Sequence, residues 1–395
     1  MAKKEDVKKT AGKEAGKKAP EKKSGKKNAE KEAGREYIKK ERIIQKTKEP
    51  AIQESAKPAH EPHKIKELSP ADTAKKVKEY HKQLADLRQE IKKVIVGQDM
   101  VVTGLLRGLL CNSHVLVEGL PGIAKTLLVR ALAVSAGCSF SRVQFTVDLL
   151  PTDILGLQSY IEGKGFVTLK GPIFANFLMA DEINRTPPKT QSALLEAMQE
   201  RQVTIAKETF QLPSPFFVMA TQNPLEQEGV YRLPEAQVDR FLFKIIMPYP
   251  SMDEEQMILR SNITLQKFED FNLQPVLNPE KIIQMQDFAK TIYLDPEIEK
   301  YIIKIVDATR HPAKYKLEHA KFIELGCSPR AGICMFIGAK AQAMIEGKAF
   351  VTPQHVKDVA YDVMRHRLIL TYEAEAEKIT PDIIIKEILS KVPVP

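Results

Sequence analysis

The sequence predicts an α/β fold: a parallel sheet with inserted β-hairpins, followed by a smaller α-helical domain. Three observations carry this reading. First, short apolar runs at 114–118, 142–147, 177–181, 216–221 and 242–247 alternate with helical patterns at 125–136, 188–200 and 235–240. Strands that alternate with helices build a parallel sheet covered on both faces. Second, a Gly-rich turn joins the first of these strands to the first helix. Third, Pro248-Tyr249-Pro250 is a stiff break, and after it the pattern is helical at 253–267, 278–290, 295–310, 330–346 and 353–366.

The elements follow in order along the chain. Residues 1–66 are rich in Lys, Glu, Ala and Gly, with Tyr37, Ile38, Ile43 and Ile44 as sizeable apolar residues. Such a segment buries too little surface to offset its ordering entropy, so a disordered tail is expected. Residues 1–50 hold 18 Lys+Arg and 9 Asp+Glu, so the whole net charge of +9 sits there. The rest of the chain is balanced. The tail is a tether or a contact for polyanions, and it lacks the interleaved aromatics of a single-strand binder.

Ser69 is a predicted N-cap with Pro70 in the first turn. Val77, Tyr80, Leu84, Leu87 and Ile91 then recur at helical spacing. A second helix is predicted over 99–111. Two hairpins interrupt the strand–helix alternation, one around Glu162–Gly165 and one joining 203–205 to 209–212. Hairpins placed beside a functional site are candidate substrate-contacting loops.

The chemistry lies in two stretches. Gly119-Leu120-Pro121-Gly122-Ile123-Ala124-Lys125-Thr126 follows the apolar run His114-Val115-Leu116-Val117. A strand entering a Gly-rich turn and then a helix points backbone N–H groups at a polyphosphate, and the helix start adds partial positive charge. Lys125 is placed to reach terminal phosphates, and the Thr126 hydroxyl to ligate Mg²⁺. Ala124 stands where the G-x-x-x-x-G-K-[ST] pattern has its second glycine, a substitution expected to be tolerated at negative φ. The second stretch, Phe177-Leu178-Met179-Ala180-Asp181-Glu182, ends an apolar strand in two carboxylates. Asp181 is predicted to lie near the Mg²⁺ and Glu182 near the attacking water. Together they read as an ATP-hydrolysing site.

Other classes are disfavoured. Cys111, Cys138, Cys327 and Cys334 show no metal-binding spacing and are expected to be free thiols of a reducing cytoplasm. No apolar run approaches a membrane span.

With these pieces in place, residues 94–395 resemble the MoxR-type AAA+ ATPases, relatives of the magnesium-chelatase ATPase subunit. The resemblance rests on the Ala-containing loop 119–126 and on Ala180-Asp-Glu-Ile-Asn-Arg-Thr-Pro-Pro-Lys-Thr-Gln-Ser-Ala-Leu-Leu-Glu-Ala-Met-Gln-Glu200. It also rests on Ala220-Thr-Gln-Asn-Pro224, Leu233-Pro-Glu-Ala-Gln-Val-Asp-Arg-Phe241, Ser328-Pro-Arg-Ala331 and Val392-Pro-Val-Pro395. It implies a nucleotide-binding AAA+ core over 67–248 and an α-helical lid over 249–395.

The resemblance also implies roles. Glu182, Lys125, Asn223 and Arg240 are implied catalytic residues, with Asn223 as sensor 1 and Arg240 as an arginine finger for the neighbouring subunit. Thr126 and Asp181 are implied metal ligands. Nucleotide contacts fall on Val96, Gly97 and Gln98 at the adenine, on the loop from Gly119 through Pro121, Gly122, Ile123, Ala124, Lys125 and Thr126 to Leu127, and on Arg330 as sensor 2 of the same subunit. Without the resemblance, Asn223 is a turn residue before Pro224, Arg240 a salt-bridge partner for Asp239, and Arg330 a helix-start arginine, which the dipole disfavours. Where relatives often read Tyr-Pro-Leu-Pro-Glu, this chain reads Tyr231-Arg232-Leu233-Pro234-Glu235.

The implied function is Mg²⁺-dependent ATP hydrolysis by a homo-oligomer, a hexameric ring in the family. The ring would remodel a client protein, as in relatives whose clients carry a von Willebrand A domain. Two alternatives stay open: a nucleotide-switched nucleic-acid assembly factor anchored by the basic tail, and a chelatase-like metal-insertion subunit. Against the first, the region after the tail is charge-neutral and lacks a helix-turn-helix or zinc signature.

Overall fold

The structure is a computed structural model that describes residues 69–224, 230–231, 233–261 and 267–395. The Lys-rich tail, Arg232 and the end of the helix predicted over 253–267 lie outside them.

Two helices lead in, α1 (Pro70–Lys92) and α2 (Asp99–Leu110). The Ser69 hydroxyl accepts from the Asp72 backbone N–H at 3.2 Å, as its N-cap position requires. The stripe Val77, Tyr80, Leu84, Leu87 and Ile91 is buried.

The core then runs β1 (Val115–Gly119), α3 (Lys125–Ser135), β2 (Phe140–Gln144), α4 (Pro151–Leu155), β3 (Gly156–Ile161), β4 (Gly165–Lys170), β5 (Phe177–Asp181), α5 (Pro188–Glu200), β6 (Gln202–Ile205), β7 (Glu208–Gln211), β8 (Phe217–Gln222), α6 (Glu235–Val238) and β9 (Phe243–Met247). Five of these strands form one sheet in the order β2-β5-β8-β1-β9, every pair parallel. Side chains of successive strand residues point to opposite faces. Val115, Val117, Phe177, Met179, Phe217 and Met219 therefore join one core, and Leu116, Leu178, Ala180, Val218 and Ala220 the other. Burial on both faces explains why these strands read as continuous apolar runs. The predicted hairpins are the antiparallel pairs β3–β4 and β6–β7.

After Pro250 come α7 (Met252–Ser261), α8 (Pro279–Lys290), α9 (Pro296–Arg310), β10 (Ile323–Leu325), α10 (Pro329–Ile345), α11 (Pro353–Met364), β11 (Ile369–Leu370), α12 (Tyr372–Ala376) and α13 (Pro381–Lys391). The helical half is not isolated from the sheet. Tyr80 packs edge-on against Phe288 at 5.2 Å, and the Gln286 amide donates to the Leu109 carbonyl at 2.8 Å. One apolar core runs from α1 and α2 through a face of the sheet into α8–α11 and α13.

Sequence reading missed α4, the short β10–β11 pair, α12 and α13. The first three are too short for a period to register. The last carried a usable signal: Thr380-Pro381-Asp382 repeats the Ser-Pro start of α1, and Ile384, Ile385, Ile388 and Leu389 form a buried stripe.

His114, at the foot of β1, is buried against Phe216. The Val218 N–H donates to its Nδ1 at 3.0 Å, so the proton sits on Nε2 and donates to the Met198 carbonyl at 3.0 Å. Burial drives its pKa down to about 3. The unfolded chain takes up a proton near pH 6.5 that the folded chain refuses until about pH 3, so stability is lost as pH falls through that window. From pH 7.5 to 5.5 the expected loss from this side chain is about 1.4 kcal/mol. Chemical unfolding of wild type and His114→Gln at both pH values checks this: the variant should lose less, and equal losses would discard the assignment.

Candidate active site

The loop between β1 and α3 is built for close approach. Gly122 lies at φ 82°, and a side chain added there would meet no atom within 4 Å. Ala124 lies at φ 62° in the left-handed region. The expectation that this alanine sits at negative φ is thus overturned: it adopts the glycine conformation with its methyl in place, at a cost of roughly 1–2 kcal/mol. The start of α3 has no side-chain cap. Lys125 reaches back so that Nζ donates to the Gly119 carbonyl at 2.5 Å. Gly119 closes the strand, where an added Cβ would come within 3.0 Å of the Met247 carbonyl oxygen.

This loop forms one wall of a cleft of about 740 Å³. Pro121, Gly122, Ile123, Ala124, Lys125, Thr126 and Leu127 all line it. The opposite wall holds Asp181, Glu182 and Asn223 from the ends of β5 and β8, which the parallel register brings beside β1.

The two carboxylates are held differently. Asp181 accepts from the Thr221 hydroxyl at 2.6 Å on one oxygen and from the Arg142 guanidinium at 2.7 Å on the other. Glu182 sits at φ 58°, a strained conformation for a side chain this size. Its N–H donates to the same Thr221 hydroxyl at 2.8 Å. Its carboxylate accepts from the Gln144 amide at 2.7 Å and pairs with Arg185 at 3.0 Å. The buried Thr221 therefore fixes both acids, and Arg142 and Gln144 reach them from the edge strand β2. None of these three was among the predicted site residues. Thr221 lay inside the quoted run 220–224, and Arg142 was visible only as a cation in an apolar strand.

At the far end, Val96 and Gln98 line the cleft, joined by Val94, Ile95, Tyr249, Pro250 and Ile258. The Gln98 amide donates to the Pro248 carbonyl at 2.9 Å, and its own oxygen has no partner. Gly97 is behind the wall, where a Cβ would collide with the Glu254 carboxylate. Arg240 and Arg330 are not among the lining residues. Arg240 is half-buried in the turn after α6. Asp239, the salt-bridge partner a bland reading gave it, is claimed instead by Arg367 at 2.6 Å. Arg330 is exposed at the start of α10.

Comparison with known proteins gives the family. Residues 114–243 match the model described as ATPase family associated with various cellular activities (AAA), and residues 316–388 match that of the AAA lid domain. The chain is 48% identical over 309 residues to Chaperone MoxR1 of Mycobacterium tuberculosis, covering 78% of this chain and 81% of that one. The chain belongs to the MoxR family of AAA ATPases. Protein MoxR of Paracoccus denitrificans is 30% identical over 81% of this chain and 98% of its own length. A crystal structure of a Cytophaga hutchinsonii protein superposes with a TM-score of 0.77 at 44% identity, covering 82% of this chain and 99% of that one.

As a MoxR-family member the protein is an ATP hydrolase, and the α/β core with its helical lid is the AAA+ arrangement. Its four cysteines are free. Among the described residues no cluster of His, Cys, Asp or Glu could hold a metal of its own, and no helix is long and apolar enough to cross a membrane.

The left-handed Ala124 gives a test that leaves the chemistry in place. Ala124→Gly removes the strain at the cost of a more flexible unfolded chain, for a net gain of about 0.5–1 kcal/mol. Thermal melts should rise by about 2 °C. A lowered Tm would show that the alanine is at ease there.

Proposed function

We propose that this protein binds Mg·ATP in the cleft beside the Gly119–Thr126 loop, hydrolyses it within a ring of identical subunits, and uses the cycle to remodel a partner protein complex. The observation that carries the reading is the convergence of an uncapped helix start, Lys125 and two strand-end carboxylates on one cleft.

The fit to nucleotide and metal is chemical. The N–H groups around Gly122–Thr126 suit a polyphosphate, and the partnerless Gln98 oxygen suits an adenine amino group. Thr126 and Asp181 supply a hydroxyl and a carboxylate, which with phosphate and water oxygens make the donor set of Mg²⁺. Arg142 on the Asp181 carboxylate supports the view that this corner takes a cation. Thr126 and Asp181 would hold the cation, which would supply charge neutralisation at the phosphates.

The chain's own residues do the rest. Lys125 leaves the Gly119 carbonyl for the terminal phosphates. Glu182, held by Thr221 and Gln144, orients and polarises the attacking water. Asn223 positions that water from the end of β8. Arg240, outside the cleft of its own chain, completes the site of the next subunit. Gly97 and Gly119 shape the walls, and Val96 with Gln98 holds the base. The in-cis sensor-2 role of Arg330 draws no support from its position away from the cleft.

Remodelling is supported by the name of the relative Chaperone MoxR1. It is supported too by the β3–β4 hairpin, which exposes Tyr160 and Phe166 stacked edge-on at 5.5 Å. A client with a von Willebrand A domain and a cytoplasmic setting belong to the same proposal.

Two experiments test it. Glu182→Gln keeps the shape and removes the base, so ATP binding should persist while turnover falls by ~10²-fold or more. Wild-type turnover in that variant would discard Glu182. For Arg240, Arg240→Ala and Lys125→Ala are each expected to be nearly inactive. Mixed, some interfaces pair a good loop with a good finger, and activity should exceed the sum of the parents. A mixture that exchanges subunits and stays inactive, while wild-type subunits titrated into either variant restore activity in proportion, would place Arg240 in cis.

A further inference from the structure

The last turn of α11 and the residues after it grip the segment that carries Arg240. Arg367 is buried, with a side chain 1% exposed. Its Nε donates to the Asp239 carboxylate at 2.6 Å. One terminal nitrogen donates to the carbonyls of Asp239 at 3.1 Å and Phe241 at 2.7 Å. The other donates to the Leu242 carbonyl at 3.1 Å and, within its own segment, to Val363 at 2.5 Å. The carbonyls of the two residues on either side of Arg240 thus converge on a single guanidinium nitrogen. Neighbours repeat the grip: the His366 ring lies 3.2 Å from the Phe241 carbonyl, and Arg365 donates to the Lys244 carbonyl at 2.7 Å.

This pattern exceeds what packing needs. The turn 238–242 is short and its flanking helix α6 has four residues, too few to hold a long side chain in one direction by itself. A planar guanidinium with five donors can fix several carbonyls in one geometry, which an ammonium cannot. Arg367 belongs to the lid segment and Asp239–Leu242 to the AAA core, so these bonds tie the backbone around Arg240 to the lid.

The geometry points to Arg367 as the positioning residue of the arginine finger: through Asp239 and the carbonyls on either side of Arg240, it aims that side chain at the neighbouring subunit and ties it to the lid of its own subunit. This rests on the proposed role of Arg240 in trans.

The test uses the full chain and Arg367→Lys, which keeps the charge and loses the fork. Turnover should fall about tenfold while affinity for the fluorescent probe mant-ATP stays within about twofold, the split left when an interaction made only in the transition state is lost. The directional readout comes from mixed rings. An Arg367→Lys subunit has a sound phosphate loop and a misdirected finger. It should gain activity when mixed with Lys125→Ala and gain none with Arg240→Ala. Equal gain with both partners, or no gain with either while Lys125→Ala and Arg240→Ala complement each other, overturns the positioning role alone. If that control pair does not complement, the finger reading itself falls and takes this one with it. Should Arg367→Lys fail to fold, Asp239→Asn serves in every arm, since it keeps the acceptor oxygen and loses the charge that anchors Arg367.

Discussion

Five strands that all run the same way must deliver their C-terminal ends to one edge of the sheet. That constraint makes the site. It sets the loop after β1 beside the acids ending β5 and the amide after β8, though these lie some sixty and a hundred residues further along the chain. The connection of a parallel pair must cross a face of the sheet, so the helices that cover the apolar strands also leave their N-termini at that edge. Helix α3 starts there uncapped, and a helix start without a partner is a place for an anion.

Within that edge the carboxylates are arranged by a few shared atoms. The Thr221 hydroxyl gives its proton to Asp181 and accepts the N–H of Glu182, which ties two strands at the point where chemistry is proposed. On β2, Arg142 takes the other Asp181 oxygen and Gln144 donates to one oxygen of Glu182. Among the described residues that line the cleft, three side chains sit at positive φ: Gln98 before α2, Ala124 in the loop and Glu182 after β5. Strain of this kind persists only where surroundings over-determine it.

Much of this was legible in the sequence because local patterns carried it. The buried strands announced themselves as apolar runs, and 177–181 and 188–200 were read with their observed bounds. Strand β2 was placed two residues late, because an edge strand with one buried residue gives a faint pattern. What depends on strand pairing was invisible: Thr221 and Arg142 reach Asp181 from residues forty positions away in each direction. The Arg367 network, 128 residues from Asp239, could not be read from spacing at all. Ala124 shows the opposite error, in which a rule about side chains and φ was trusted where the loop's function overrides it.

The central claim is that the cleft takes a triphosphate on the loop N–H groups with a divalent cation at Thr126 and Asp181. A structure of Glu182→Gln with Mg·ATP tests it most directly. The β- and γ-phosphates are expected against residues 122–126, with Lys125 lifted from Gly119. Mg²⁺ is expected about 2.1 Å from the Thr126 oxygen, with Asp181 holding the ion directly or through one water and Arg142 shifted to allow it. A triphosphate elsewhere, or Lys125 and Arg142 unmoved with the metal bound away from both ligands, would contradict it.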